Sequence, residues 1–223
     1  MKELFQSYQK LVVFDTETTG LSPELDEIIQ FSAAVLTPDG KVDTYDQLVS
    51  LTPGGFVPPK IQALTGITTQ MLREHGIAKT RLCRDIAELI SGEKTLLLAY
   101  NAQFDLSFLY YALRRDGGPG ILKGKDKLDL LTVYRDRRPY PHRLADAIAA
   151  YGLQSQVQNS HRALDDVLAT VAVLEAMEAE RPDLREYANL FGFNARYGLG
   201  GKPIGSVRYK PQGYEPDVPL YRK

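Results

Sequence analysis

The run Leu11-Val12-Val13-Phe14, followed by Asp15-Thr16-Glu17-Thr18-Thr19-Gly20, decides how the rest of the chain is read. Four consecutive apolar residues make a compact buried-strand signal. The polar hexapeptide behind them sets two carboxylates at the strand end. Residues two apart on an extended chain project to the same side, so Asp15 and Glu17 can meet one cation cluster. Carboxylates placed together repel and lose solvation, and a divalent ion is the usual remedy. Taken alone, the hexapeptide also reads as a turn rich in Asp, Thr and Gly.

Working outward, Ile28 to Leu36 is a second apolar stretch closed by the turn Pro38-Asp39-Gly40, and Val42 to Leu51 alternates loosely. Together with the first run they predict a meander with a hairpin between its second and third strands. Short helical pieces follow around Ile61 to Leu64 and Thr69 to Arg73. A longer helix carries Leu82, Ile86, Leu89 and Ile90 on one face and stops at Gly92. Thr95 to Ala99 reads as another buried strand, and Phe104, Leu106, Phe108, Leu109 and Leu113 as a helix ending by Gly117-Gly118-Pro119. Leu128 to Leu131 is expected as a short strand. A helix is expected near Leu144, Ala147 and Ile148, and a last one from about Arg162 to Glu178. Three strands and then alternating helices and strands indicate an α/β layered domain without repeats.

Composition narrows the chemistry. The 223 residues carry 27 Lys plus Arg against 28 Asp plus Glu, a formal charge of −1, so attraction to nucleic acid must come from local charge arrangement. The single Cys83 excludes an intrachain disulfide and multi-cysteine zinc motifs; it is read as a small residue on a helix. With only His75, His142 and His161 present, a metal site should use carboxylates and hard cations such as Mg²⁺ or Mn²⁺. No apolar run approaches the roughly 18 residues of a membrane helix, and the start lacks a signal-peptide core, so a cytoplasmic protein without membrane contact is expected. Beyond Arg181-Pro182 the periodicity stops. From Ala188 on, the charge is +4, leaving −5 on the preceding residues. The expected organisation is a domain over 1–180 and a basic, Tyr/Gly/Pro-rich arm over 181–223. The arm either interleaves cations with Tyr197, Tyr209, Tyr214 and Tyr221 to bind single strands, or folds back through Phe191, Phe193, Tyr197 and Leu199 to cover apolar surface.

Two further acidic blocks join the first. Tyr100-Asn101-Ala102-Gln103-Phe104-Asp105 lies where a strand passes into a helix, and His161-Arg162-Ala163-Leu164-Asp165-Asp166 opens the last helix. Each is also compatible with plain helix starts: Asn101 and Ser160 as caps, with acids in a positive first turn. Asp165 and Asp166 point about 100° apart, so one faces the site and the other solvent.

In order and context, the three blocks resemble the DEDDh family of 3′-to-5′ exonucleases, which includes the proofreading epsilon subunit of bacterial DNA polymerase III, ribonuclease T and oligoribonuclease. The resemblance spans roughly residues 8 to 180. It implies a ribonuclease H-like fold, a five-stranded mixed sheet flanked by helices. It implies that Asp15, Glu17, Asp105 and Asp166 hold two Mg²⁺ or Mn²⁺ ions, and that His161 acts as general base. Thr18, Leu21, Gly66, Ile67, Asn101 and Phe104 are expected to grip the terminal nucleotide, Phe104 being equally compatible with a core position. The implied reaction is hydrolysis at the 3′ end of single-stranded DNA or RNA with release of nucleoside 5′-monophosphates, and a DNA polymerase is a possible partner. Many relatives carry His where this chain has Tyr100 and Thr65. Two other classes share parts of the pattern: a catalytically silent module that holds nucleic-acid ends, and a Mg²⁺-dependent nucleotide phosphatase.

Overall fold

The computed structural model describes residues 1–157 and 162–223. Its centre is strand β1 (Lys10–Thr18), whose apolar run is continuous because both faces are covered. Leu11 and Val13 enter one core cluster, and Val12 and Phe14 the other. β2 (Ile28–Leu36) pairs antiparallel with β1, and β3 (Val42–Leu48) pairs antiparallel with β2 at the solvent-exposed edge, which explains its looser alternation. β4 (Thr95–Ala99) and β5 (Asp126–Asp129) run parallel to β1, completing a five-stranded mixed sheet of order β3-β2-β1-β4-β5. The hairpin turn falls where expected, with Gly40 at φ 84°.

Helices cover both faces. Short helices α1 (Pro59–Thr65) and α2 (Thr69–His75) follow β3, then α3 (Lys79–Leu89). α4 (Ala102–Asp116) packs Leu106, Phe108 and Leu109 into the cluster of Val12 and Phe14. α6 (Leu144–Ala150) and α7 (Ala163–Glu180) lie on the opposite face, with Val167, Val173, Leu174 and Met177 against Leu11 and Val13. Among the described residues, no helix is long and apolar enough to cross a membrane.

One expected boundary is corrected. The strand predicted at Leu128 to Leu131 runs from Asp126 to Asp129, and Leu130 opens a helix, α5 (Leu130–Arg137), that the periodicity did not reveal. Leu130, Leu131, Thr132, Val133 and Tyr134 are all buried, so the helix shows no apolar stripe.

The segment after Arg181 packs against the sheet domain. A 3₁₀ turn (Leu184–Tyr187) is followed by β6 (Leu190–Phe193) and β7 (Arg208–Pro211), a parallel two-stranded ribbon. Leu184, Tyr187, Leu190 and Leu220 are fully buried in the core shared with β1. The buried Asp136 accepts from the Tyr187 hydroxyl (2.9 Å), the Gln212 amide (2.9 Å) and the Leu220 N–H (2.5 Å). Its neighbour Arg137 pairs with Asp183 at 2.6 Å. Phe191 is buried, Phe193 and Leu199 are half-buried, and Tyr197 is exposed.

Candidate active site

Asp15 and Glu17 sit at the C-terminal end of β1, opposite Ser32 and Gln30 of β2, with a register shift between Glu17 and Thr18 where the strand leaves the sheet. They share the parity of Leu11 and Val13, and therefore the face covered by α7. The first turn of α7 brings Asp166 onto that face, and one carboxylate oxygen each of Asp15, Glu17 and Asp166 lie within 4.8 Å of one another. Asp166 is 8% exposed and Asp165 half-buried, so the neighbouring acids separate as helix geometry requires.

Asp105 arrives from the other side of the sheet, on α4, and is 3% exposed. The backbone N–H and the hydroxyl of Thr16 both donate to its Oδ1, at 3.0 and 2.7 Å. Thr16 belongs to the opposite parity from Asp15 and Glu17. The strand end is thus held between two carboxylate-bearing helices, one on each face.

The electrostatics show what this crowding does. Burial, then the charges of Asp105, Glu17 and Asp166, push the Asp15 carboxyl well above the ordinary range. Burial, with Asp166 and Asp105 behind it, raises Glu17 to about 8, opposed by Arg162. Asp105 rises to about 7 through burial, against the two Thr16 bonds. Carboxylates with so little cationic compensation are a donor set suited to hard divalent cations.

A residue that the sequence reading missed organises the second block. Asn101 has left-handed backbone (φ 70°, ψ 47°) and its side chain caps nothing, contrary to the expected role as cap. The cap is Asp129, at the end of β5 and 3% exposed. Its Oδ1 accepts the N–H groups of Asn101 (3.0 Å), Ala102 (3.0 Å) and Leu131 (3.2 Å). Its Oδ2 accepts the Thr132 N–H (3.2 Å) and hydroxyl (2.7 Å). One carboxylate therefore satisfies the starts of two helices, α4 and α5. The only sequence signal was an acid between leucines in Leu128-Asp129-Leu130.

The other candidates scatter around this centre. Thr18 is buried and donates its hydroxyl to the Gly20 carbonyl at 2.6 Å. Leu21, 84% exposed, lies on the loop after β1. Gly66 takes φ 71° at the end of α1. The Ile67 side chain is fully buried with Ile29, Val57 and Leu72, which leaves only its backbone to meet a ligand. Phe104 is half-buried, its ring 4.9 Å from that of Phe108. His161 and Ser160 lie outside the described residues. His142 packs edge-on to Tyr134, and His75 is solvent-exposed beside Glu74. The Tyr100 hydroxyl donates to the carbonyls of His142 and Arg143, at 3.0 and 3.3 Å. Thr65 is buried, bonded to Ile61 and Ile67.

Comparison with known proteins follows the same residues. The exonuclease family model RNase T matches residues 12–174. The DNA polymerase III subunit epsilon of Treponema pallidum is 32% identical over 171 residues, covering 74% of this chain and 75% of its own length. A PolC-type DNA polymerase III of Thermotoga maritima is 33% identical over 174 residues, 73% of this chain. This chain spans only 11% of that polymerase. Among solved structures, E. coli Exonuclease I in complex with a dT13 oligonucleotide superposes with a TM-score of 0.71 and 25% identity, over 80% of this chain and 43% of its own. The five-stranded mixed sheet flanked by helices is the ribonuclease H-like architecture of that enzyme.

Proposed function

This chain belongs to the RNase T family of exonucleases, and on that premise we propose that it removes nucleotides from the 3′ end of single-stranded nucleic acid in a metal-dependent reaction. The observation that carries the proposal is the convergence of Asp15, Glu17 and Asp166 within 4.8 Å, with Asp105 tethered to the same strand end through Thr16. Nothing else among the described residues gathers so many buried and half-buried carboxylates with so little cationic compensation.

The donor set suits two Mg²⁺ or Mn²⁺ ions, which Asp15, Glu17, Asp105 and Asp166 would hold. Such ions lower the pKa of a bound water and neutralise charge on the attacking and leaving oxygens of a phosphodiester. The chain's own residues do the rest. Asp129 and Thr16 fix the position of Asp105. The exposed Leu21 offers an apolar face to a terminal base. His161, two positions ahead of α7, takes the proton of the attacking water, as the family resemblance implies. The oligonucleotide complex of Exonuclease I supports single-stranded DNA as substrate, and the epsilon relative supports a DNA polymerase as partner.

The test is digestion of single-stranded DNA and RNA of equal sequence, labelled at the 5′ end, with Mg²⁺ or Mn²⁺ and with EDTA. A ladder shortening from the 3′ end, release of nucleoside 5′-monophosphates and silence in EDTA are expected. Release of inorganic phosphate from nucleotides would identify a phosphatase, and binding without cleavage a silent module; either refutes the proposal.

A further inference from the structure

Along α4 the structure contains a cavity of about 640 Å³. Its walls are α4 from Leu106 to Arg114, the loop after β1 at Ser22 to Glu24, residues 119–124 ahead of β5, and the tail loop 201–206. That size lies within the range of small-ligand sites. The wall is mostly apolar, built on Leu106, Tyr110, Tyr111 and Ile204, and the two tyrosine rings meet edge to face at 5.4 Å.

The charged groups around it are unbalanced: Arg114, Lys123, Lys127 and Lys202 stand against Glu24 alone. Glu24 is already engaged, accepting from Lys202 at 2.5 Å and from the Tyr111 hydroxyl at 2.6 Å. Among the described residues, Arg114 and Lys123 make no ion pair. Lys127 is the informative cation. It is 2% exposed, its ammonium donates to the carbonyls of Lys125 (2.6 Å) and Leu122 (3.4 Å), and no carboxylate lies within ion-pair distance. A buried ammonium has three donors, and burying a charge without a counter-charge is costly. Desolvation lowers its pKa, opposed by the charge of the neighbouring Asp126. An anion in the cavity would add a counter-charge to that of Asp126.

We propose that this cavity is a second nucleotide site, which takes a nucleoside monophosphate unit with its phosphate toward Lys127, Arg114 and Lys123 and its base against Tyr110 and Tyr111. The chemistry is complementary on both counts: a dianion for the excess of cations, and a planar apolar face for the aromatic wall. The assignment rests on the exonuclease reading, because that reaction supplies both nucleotide sources, the released product and an interior unit of the strand. The cavity shares α4 with Asp105, and its tail loop is tied to the second acidic block by a bond from the Gln103 amide to the Lys202 carbonyl at 2.9 Å.

The test uses the full chain in EDTA, where an anion is not drawn to the metal-free carboxylates, and measures binding of thymidine 5′-monophosphate, thymidine and inorganic phosphate by calorimetry. Binding of the nucleotide at least tenfold tighter than either fragment is expected. It should survive in Asp15→Ala and weaken at least tenfold in the double variant R114E/K123E, whose two exposed positions leave the melting temperature unchanged. If the strand is the source, the double variant raises KM for a long oligonucleotide and flattens its salt dependence. If the released product is the source, KM holds and inhibition by thymidine 5′-monophosphate is relieved. No nucleotide binding in EDTA, binding untouched by the charge reversal, or phosphate binding as tightly as nucleotide would overturn the site. Absence of strand cleavage by the wild type would instead refute the exonuclease reading and leave the binding result standing.

Discussion

Replacing Asp129 by Asn changes one oxygen for one amide group, and the structure sets the cost. The carboxylate receives five hydrogen bonds, three on Oδ1 and two on Oδ2, in a site that is 3% exposed. In the better amide orientation the remaining oxygen still serves Asn101, Ala102 and Leu131. The new NH₂ then faces the Thr132 N–H donor against donor, and the Thr132 hydroxyl, although it can accept from the amide, loses the acceptor for its own proton. A buried donor left without an acceptor costs about 1–3 kcal/mol, so two such losses come to about 2–6 kcal/mol. Relief of the buried charge, whose desolvation raises the Asp129 pKa in spite of its bonds, offsets part of this. The expected net loss is roughly 2–4 kcal/mol, a large fraction of the ~5–15 kcal/mol of a typical domain. The damage should also reach the chemistry, because the left-handed turn at Asn101 and the first turn of α4 position Asp105. Urea denaturation of Asp129→Asn and wild type, with turnover on a labelled strand measured well below the transition, checks both parts. Turnover is expected to fall at least tenfold. A variant within about 0.5 kcal/mol of wild type that turns over at the wild-type rate would refute the reasoning.

Three further outcomes are expected. Asp15→Asn should abolish cleavage yet raise the melting temperature in EDTA, because metal-free protein must either protonate Asp15 on folding or hold its charge beside Asp105, Glu17 and Asp166, and an amide needs neither; a lower melting temperature, or retained turnover, contradicts this. In metal-free protein, stability should fall as pH rises. The folded Glu17 pKa is about 8 and the unfolded value is about 4.3, so the folded state holds the proton more tightly, and the stability present below the unfolded value is lost on passing through about 8. Melting temperatures in EDTA at acid, neutral and alkaline pH, with Mg²⁺ flattening the trend, check the sign. Truncation after Arg185 should destabilise severely, since it removes the fully buried Tyr187, Leu190 and Leu220 and the buried Phe191, at about 1.5–3 kcal/mol each; a truncated chain that melts like the full one would show 186–223 to be a dispensable arm.

The central strand and the two carboxylates at its end were legible in the sequence, because a strand buried on both faces must be continuously apolar and its period of two puts Asp15 and Glu17 on one side. The hairpin at Gly40 and the helix carrying Asp105 were legible for similarly local reasons: turn chemistry and helical spacing of apolar residues. The helix at Leu130–Arg137 was not, since burial all round erases the stripe from which period is read. Asp129 could not be found either, because its partners at Asn101 and Ala102 lie 28 and 27 residues away and only the parallel pairing of β4 with β5 brings them together. Nor could local composition decide the fate of the tail. Its Gly, Pro and Tyr content suits a loose strand-binding arm as well as a folded cover, and what distinguishes them is a buried Asp136 on a different element, which accepts bonds from Tyr187, Gln212 and Leu220. Short-range periodicity and turn chemistry are properties of consecutive residues and are written in the sequence. The partner of a buried charge is set by which elements the sheet order makes neighbours, and that only the tertiary structure decides.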